Sequence, residues 1–440
     1  MQSAPAEPAA SAPAANPAIN LTPAEITERA RTFVAHSGVD PDSENGQILV
    51  AWFVGVAQNP DYFARLRSLR GKSTTGTEMT LSPADRLRFV HLMKDIASES
   101  RNGCEMSQLT GRDLTSLAKT SSPKMLRSVF ELMDIVVGRN GAAPADGEHY
   151  TVAELLEVDA RIDAIDVPPS LAKQDKSSTC ALIQFAVDAL DGLPEPEQRR
   201  ATYELFKLVA DGKLAAETVL ADPAAYLDEV FDERRLPDAM RSQLPPDGSR
   251  PLPYSRLVVD GAWVSRKATP KAERPYVDTY INRRNNGVVV ELMTTKDASG
   301  NPRWSSFDMG YGLADLLSQS VSAPRHATVL RTLNDLSAIA LASQPLTEGK
   351  RVEIALPQPS SHGQLTQRCE IGKTEPASTV FGTLTGNAVN LDCSEVHKDG
   401  KTVRVRSAWL LDYGIELTRS IDDEDGTTDV VIKNVTIVKP

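Results

Sequence analysis

The sequence has little of what marks a membrane-spanning or nucleic-acid-binding protein. Its longest apolar run, Ile48 to Ala57, has ten residues, whereas a membrane-spanning helix needs about 20. The 440 residues include 48 Lys and Arg against 59 Asp and Glu, which gives a formal net charge of -11. All of the excess negative charge lies in residues 1–250, which contain 26 basic and 37 acidic residues. An acidic balance argues against a phosphate-backbone ligand, which requires clustered Lys and Arg.

Short catalytic and cofactor-binding motifs are also absent. The sequence contains no GxSxG, HExxH, Walker or GxGxxG pattern, and its six histidines are dispersed. The acidic run from Asp422 to Gly426 does not continue as a calcium-binding loop, because the residue six positions after Gly426 is Ile432 rather than Glu. The cysteine spacing matches no zinc site. We therefore predict no metal and no cofactor, and we favour a non-catalytic protein over an enzyme.

Two features favour an exported protein. Residues 1–20 contain eight Ala and four Pro, a composition typical of a flexible, extended tether that follows a cleaved signal peptide. In an oxidising compartment the natural cysteine pairs are Cys104–Cys180 and Cys369–Cys393, and the second pair lies in or beside successive predicted strands, within disulfide range. The alternative is four buried free thiols. We expect a periplasmic or cell-surface protein that associates with the envelope through this leader after removal of its signal peptide, with a cytoplasmic location as the alternative.

After the leader, the chain is predicted to be multidomain, with two domains of different class. Residues 21–245 repeat apolar positions at helical spacing and begin with the capped helix start Thr22–Glu25, which predicts an acidic, irregular all-α helical bundle. The Pro- and Gly-rich stretch Leu244–Pro251 is the clearest linker. Residues 251–440 change to the period of two that is typical of strands, which predicts an α+β domain with an antiparallel sheet.

Local patterns in the second domain give more specific predictions. Asp260-Gly261 is expected to form the turn of one hairpin, and Asn285-Asn286-Gly287 the turn of a second. Residues Tyr311–Gln319 and His326–Ala342 have apolar positions at helical spacing. We therefore predict two helices between the hairpins and the strands that follow.

Aromatic residues make up only 5% of the chain, but four of them lie near predicted turns and strand ends of the second domain. They are Trp304, Tyr311, Trp409 and Tyr413. Aromatic side chains at such positions can form a recognition surface, and core packing explains them equally well. Because Trp409 to Gly414 has the pattern of a strand entering a turn, we expect Tyr413 to be partly exposed.

The leading functional hypothesis is non-catalytic protein binding, for example by an immunity or adaptor protein of the periplasm. Its partner would be another protein, bound through the acidic helical surface, the edge strand of the sheet, or both. One alternative is an envelope or cell-wall hydrolase whose carboxylates are scattered in the sequence, and another is a structural component of the envelope. Facing carboxyl groups with a raised pKa in a deep cleft would favour the hydrolase. A broad apolar patch would favour the binding protein.

Overall fold

The computed structural model describes the chain in thirteen stretches, residues 21–69, 81–99, 114–139, 149–163, 176–211, 213–267, 273–297, 299–323, 326–333, 336–342, 344–356, 366–396 and 402–440. Contacts divide the chain into two compact units. The helical unit comprises residues 1–145 and 168–188, and the sheet unit comprises residues 146–167 and 189–440. This division differs from the boundary predicted at the linker 244–251, because several helices that precede the linker pack on the sheet.

The described residues form thirteen α-helices: α1 (Pro23–His36), α2 (Glu44–Gln58), α3 (Pro60–Leu69), α4 (Pro83–Glu99), α5 (Leu114–Thr120), α6 (Pro123–Arg139), α7 (Val152–Asp163), α8 (Lys176–Asp191), α9 (Glu195–Asp211), α10 (Ala215–Ala221), α11 (Pro223–Val230), α12 (Asp238–Arg241) and α13 (Ser337–Ala342). None of these helices is long and apolar enough to cross a bilayer. Helix α1 begins as predicted, because Thr22 and Glu25 accept hydrogen bonds from each other's backbone N–H groups. Within the helical unit, Val34, Leu49 and Leu126 lie at the centre of one apolar core.

In the described stretches, thirteen strands form one sheet: β1 (Arg256–Ser265), β2 (Glu273–Ile281), β3 (Val288–Lys296), β4 (Pro302–Tyr311), β5 (Ala314–Ser322), β6 (His326–Ala327), β7 (Arg331–Thr332), β8 (Arg351–Ala355), β9 (Thr366–Pro376), β10 (Asn387–Val396), β11 (Thr402–Leu410), β12 (Ile415–Asp423) and β13 (Gly426–Val438). The strand order is β6-β5-β4-β3-β2-β1-β13-β12-β11-β10-β9-β8, and β7 also pairs with β5. Every pair is antiparallel. Strands β5 and β8 lie near opposite ends of this order yet contact each other, so the sheet curls. The predicted combination of helices and an antiparallel sheet is confirmed.

Strand alternation gives β3 two different faces. Val290 and Leu292 belong to a core that also contains Leu155 of α7 and Val230 of α11. Val289, on the opposite side, packs instead with residues of β1, β2 and β12. Because helices α7, α10 and α11 bury their apolar sides against the sheet, they belong to the sheet unit although they precede the linker.

The two hairpin predictions have different outcomes. In the turn between β2 and β3, Asn285 and Gly287 have φ angles of 50° and 84°, which confirms the second hairpin. The first is wrong, because β1 continues through Asp260 and Gly261 and pairs with β2 and β13 on its two sides. A Cβ atom at Gly261 would lie 2.4 Å from the ring of Tyr276. Glycine is required here for close packing and not for a turn.

The two helices predicted between Tyr311 and Ala342 are largely replaced by strands. Residues Ala314–Ser322 form β5, which pairs with β4 on one side and with β6 and β7 on the other. Helix α13 retains only Ser337–Ala342 of the second predicted helix. Leu- and Ala-rich runs of this length suit a helix or a buried strand equally well by periodicity, and pairing with neighbouring strands decided the outcome.

A buried carboxylate joins the helices to the sheet. Glu233, in the short helical turn after α11, accepts hydrogen bonds from Arg284 and Asn286 in the β2–β3 turn. Arg283 of the same turn donates to the backbone oxygen of Phe231. These contacts hold the segment that follows α11 against the β2–β3 turn, at one end of the sheet.

Candidate functional site

The predicted pair Cys369–Cys393 lies within bonding distance, with the two sulfur atoms 2.09 Å apart. The two residues face each other directly across β9 and β10, and both are buried. The register of neighbouring antiparallel strands therefore places them together, as the sequence suggested. Cys104 and the side chain of Cys180 lie outside what the structure describes.

The four aromatic residues predicted as a binding surface do not form one surface. Tyr311, Trp409 and Tyr413 are exposed by only 2%, 9% and 3%, and they belong to three different apolar clusters. The expectation that Tyr413 is partly exposed is wrong. Its ring stacks near that of Tyr254, whose hydroxyl donates to the backbone oxygen of Tyr413, so this turn folds back onto the core. Trp304 alone of the four is half-buried.

Trp304 lines a groove at one end of the sheet, which we call the tryptophan groove. The groove lies between the end of β1, the start of β2, the end of β3 and the start of β4, and its volume is about 650 Å³. Its walls include Trp263, Arg274, Thr295, Lys296, Arg303 and Trp304. Direct cross-strand pairing places Trp263 opposite Arg274, and Thr295 opposite Trp304. Sheet register thus brings together residues that are up to 41 positions apart in the sequence.

The aromatic rings of the tryptophan groove support one another. Trp263 stacks on Tyr276 at a centroid distance of 5.5 Å and meets Trp304 edge to face at 5.8 Å. The guanidinium of Arg274 lies 5.6 Å from the centroid of the Trp263 ring. Aromatic and cation–π contacts of this kind each contribute about 0.5–1.5 kcal/mol. They hold the two half-buried indoles in fixed positions.

The charges around the tryptophan groove leave a positive excess. Asp297 pairs with Arg303 at 3.3 Å, and backbone hydrogen bonds from the Asn301 turn lower the pKa of Asp297. Glu273 pairs with Lys433 of β13 at 2.6 Å. Arg274 and Lys296 are exposed, and within the described stretches neither forms an ion pair. The groove therefore suits an apolar or aromatic group that is accompanied by negative charge.

Five acidic residues form a second feature of the sheet unit, which we call the carboxyl cluster. They are Asp278 of β2, Glu291 of β3, Asp308 of β4, Asp315 of β5 and Glu416 of β12. Glu291 lies directly opposite Asp308 on one side and opposite Tyr280 on the other. Sequence reasoning missed this cluster. The available signal was alternation, since Tyr276, Asp278 and Tyr280 share one face of a strand.

Asp278 is the most deeply buried member of the cluster, with 2% exposure. Its Oδ2 atom accepts a hydrogen bond of 2.6 Å from the hydroxyl of Tyr280. Its Oδ1 atom receives no hydrogen bond from an N–H or hydroxyl donor of the described residues. The carboxyl group of Glu291 faces it within hydrogen-bonding reach, and a carboxyl group can donate only while it is protonated.

Burial raises the pKa of every carboxyl group in the cluster. It raises the pKa of Asp308 to about 6, that of Asp278 to about 7 and that of Asp315 to about 8. Burial and then the charges of Asp278 and Asp308 raise the pKa of Glu291 well above its ordinary value. Burial also raises the pKa of Glu416. Part of the cluster therefore holds protons at neutral pH.

The space beside these carboxyl groups is small. Glu291, Asp308, Asp315 and Glu416 line a cavity of about 80 Å³, together with residues of β8 and β9. Since one water occupies roughly 30 Å³, this cavity holds about two or three waters. Within the described part of the chain, no group of three or more His, Cys, Asp and Glu residues is arranged to hold a metal ion.

Comparison with known proteins gives little further information. No family model matches the chain, and no curated protein matches it. Among solved structures, it is similar to a beta-barrel-like protein of the domain of unknown function DUF1849 from Brucella abortus. The identity is 12%, the match covers 43% of this chain and 100% of that chain, and the TM-score is 0.26. A TM-score this low does not support transfer of fold or function.

Proposed function

We propose that this protein is a non-catalytic binding protein of the bacterial envelope, and that its sheet unit binds a partner protein in the tryptophan groove. The observation that carries the proposal is the pair of indoles, Trp263 and Trp304, in a groove of about 650 Å³. Ligand sites commonly measure about 300–1,000 Å³ and combine apolar walls with a few polar groups. Trp and Arg are also the residue types that most often dominate binding energy at protein interfaces.

The charges of the groove favour a particular kind of partner segment. Arg274 and Lys296 lie at the groove with no carboxylate pairing them among the described residues. A segment with one aromatic or large aliphatic residue next to Asp or Glu would place its apolar side chain against the indoles and its charge beside these cations. This partner differs from the basic one that the acidic helices alone would suggest.

One observation favours the alternative of an envelope hydrolase. Glu291 and Asp308 face each other across strands, and burial raises the pKa of both, as a general acid requires. The adjoining cavity of about 80 Å³ is much smaller than a sugar or peptide substrate. For this reason we place the binding protein first.

Export of the protein remains part of the proposal. The Ala- and Pro-rich leader and the buried Cys369–Cys393 pair support it, because disulfides persist in oxidising compartments. Peptide mapping without reductant, on protein recovered from its native compartment, tests this part. A cross-linked peptide pair containing Cys369 and Cys393 supports export, and four alkylatable thiols contradict it.

Affinity capture from the envelope fraction of the source organism tests the binding function. Wild type is compared with Trp304→Ala and with the control Phe33→Ala, which removes a 53%-exposed aromatic from the helical unit. We expect one stoichiometric, salt-sensitive partner with wild type and with the control, and loss of that partner with Trp304→Ala. Equal capture by all three proteins would place the interface outside the groove.

A further inference from the structure

We propose that the carboxyl cluster is a proton-operated lock that holds the two ends of the curled sheet together. Its members come from both walls of the cavity: Asp308 and Asp315 from β4 and β5, and Glu416 from β12. Ile354 of β8 and Gln367 of β9 complete the cavity from the far end of the strand order. This inference concerns the closure of the sheet and does not depend on the tryptophan groove.

Carboxyl groups oppose each other across the cavity. In the strand order, β5 and β12 are separated by β4, β3, β2, β1 and β13. Asp315 and Glu416 nevertheless line the same cavity, and the charge of Glu416 adds to burial and to the charge of Asp308 in raising the pKa of Asp315. When both groups are ionised, like charges of the two walls repel across the space between them. When one is protonated, that repulsion disappears.

A shared proton accounts for the buried oxygen that lacks a donor. Once Asp278 ionises above about pH 7, Glu291 still holds its proton and can donate it to Oδ1 of Asp278, while Oδ2 of Asp278 accepts from Tyr280. Loss of the Glu291 proton to water then leaves two facing carboxylates in a buried site. An unpaired buried charge of this kind is unfavourable, so deprotonation favours an arrangement in which water reaches the cluster.

The groups around the cluster offer little positive charge in compensation. Burial raises the pKa of Asp308, and the positive charge of Arg331 of β7 offsets only a small part of that rise. The other titratable neighbours are the phenols of Tyr254, Tyr276 and Tyr280, which are neutral at physiological pH. The other polar neighbours are uncharged: the hydroxyl groups of Ser306 and Ser318 beside Asp308 and of Ser407 beside Glu416, and the amide of Gln367 in the cavity wall. Protons, and not cations, therefore neutralise most of this cluster.

The lock is expected to be closed near pH 6 and loosened near pH 9. This interval follows from the raised pKa values of about 6 to 8 for the aspartates of the cluster. Loosening would separate β5 from β8 and would admit more water to the cavity, while the central strands of the sheet stay paired.

Hydrogen–deuterium exchange of the full chain at pH 6 and pH 9, corrected for the intrinsic pH dependence of exchange, tests the lock. In wild type, peptides covering β8 and β12 should exchange at least about tenfold faster at pH 9 than at pH 6. A tenfold change is what a shift of one pKa unit between the closed and the open arrangement produces. The exchange of peptides covering β1 should not change. The double variant Asp315→Asn, Glu416→Gln should show a smaller difference, because its two cavity walls no longer both carry a titrating carboxyl group, whereas Asp278, Glu291 and Asp308 remain. The control Asp422→Asn, which removes an acid of β12 outside the cavity, should retain it.

Infrared spectroscopy provides a second measurement that does not require the double variant to fold normally. Wild type at pH 6 should show absorption from protonated carboxyl groups that persists in D₂O, diminishes towards pH 9 and is reduced in Glu291→Gln. Absence of this absorption at pH 6 would overturn the proposal. Equal exchange of β8 and β12 at the two pH values in wild type, or an undiminished pH effect in a folded double variant, would overturn it as well.

Discussion

Replacing Asp278 by Asn should change how the stability of the protein depends on pH. The side chain is 2% exposed, and burial raises its pKa from 3.8 to about 7. A carboxyl group with a raised pKa in the folded state binds its proton more tightly there than in the unfolded chain. Its contribution to stability is therefore fully present below about pH 4 and is lost as the pH rises through 7.

The size of this effect follows from the linkage between proton binding and folding. Between pH 5 and pH 7 the unfolded chain has released the proton of Asp278 while the folded chain retains it. For each pH unit over which the folded chain holds one proton more than the unfolded chain, the free energy of unfolding falls by about 1.36 kcal/mol. Wild type should therefore lose about 2–3 kcal/mol of unfolding free energy between pH 5 and pH 8 through this group. An amide at position 278 does not titrate, and it can still accept a hydrogen bond from Tyr280.

Urea-induced unfolding of wild type and Asp278→Asn at pH 5, 6, 7 and 8 tests this reasoning. The stability of the variant relative to wild type should rise by about 2–3 kcal/mol across the series. The control Asp422→Asn removes a carboxyl group of the same sheet that pairs with Arg406 and lies outside the cluster, and it should not show this rise. Parallel pH profiles for wild type and Asp278→Asn would refute the assignment of a bound proton to this site.

Three further predictions concern the framework of the sheet unit. Glu233→Ala should lower the free energy of urea-induced unfolding by about 1–3 kcal/mol, because the buried amide of Asn286 loses its acceptor while Arg284 keeps its ion pair with Asp247, and Glu233→Gln should lower it less. Replacing both Cys369 and Cys393 by Ser should cost about 3 kcal/mol, the value expected for a closed loop with a sequence separation of 24; an unchanged unfolding midpoint would show that the bond does not form. Gly312→Ala should lower the melting temperature, because Gly312 has φ of +56° and the added Cβ would lie 2.5 Å from the backbone oxygen of Ala342. The control Gly349→Ala introduces a side chain at a similarly positive φ but in open space, so the difference between the two variants reports the steric clash alone.

Local signals in the sequence predicted those parts of the fold that neighbouring residues determine. The cap at Thr22, the hairpin turn at Asn285 and the pair Cys369–Cys393 each depend on residues within a short span or on two successive strands. The prediction of a helix over Tyr311–Gln319 was wrong because this segment pairs with β4 and β7, and the spacing of apolar residues within the segment does not reveal those partners. The prediction of a turn at Asp260-Gly261 was wrong because this glycine leaves room for the ring of Tyr276, which comes from the next strand.

The two candidate sites illustrate the same limit for function. Trp304 could be selected from the sequence, but its partner Trp263 lies on another strand, and only register brings the two together. The carboxyl cluster draws on five strands, so no short motif contains it. Acidic residues that alternate with buried aromatic residues on one face, as Asp278 does with Tyr280, are the pattern that could have indicated it.

Site-specific photocrosslinking tests the central claim, that the tryptophan groove binds a partner protein. A photoreactive amino acid is placed at Lys296, on the wall of the groove, and in a control protein at Leu411, which is exposed elsewhere on the sheet unit. After irradiation of intact envelopes, we expect one adduct from position 296, mapped to a segment with an apolar residue beside Asp or Glu, and no such adduct from position 411. Absence of an adduct at position 296, or the same adducts from both positions, would contradict the account.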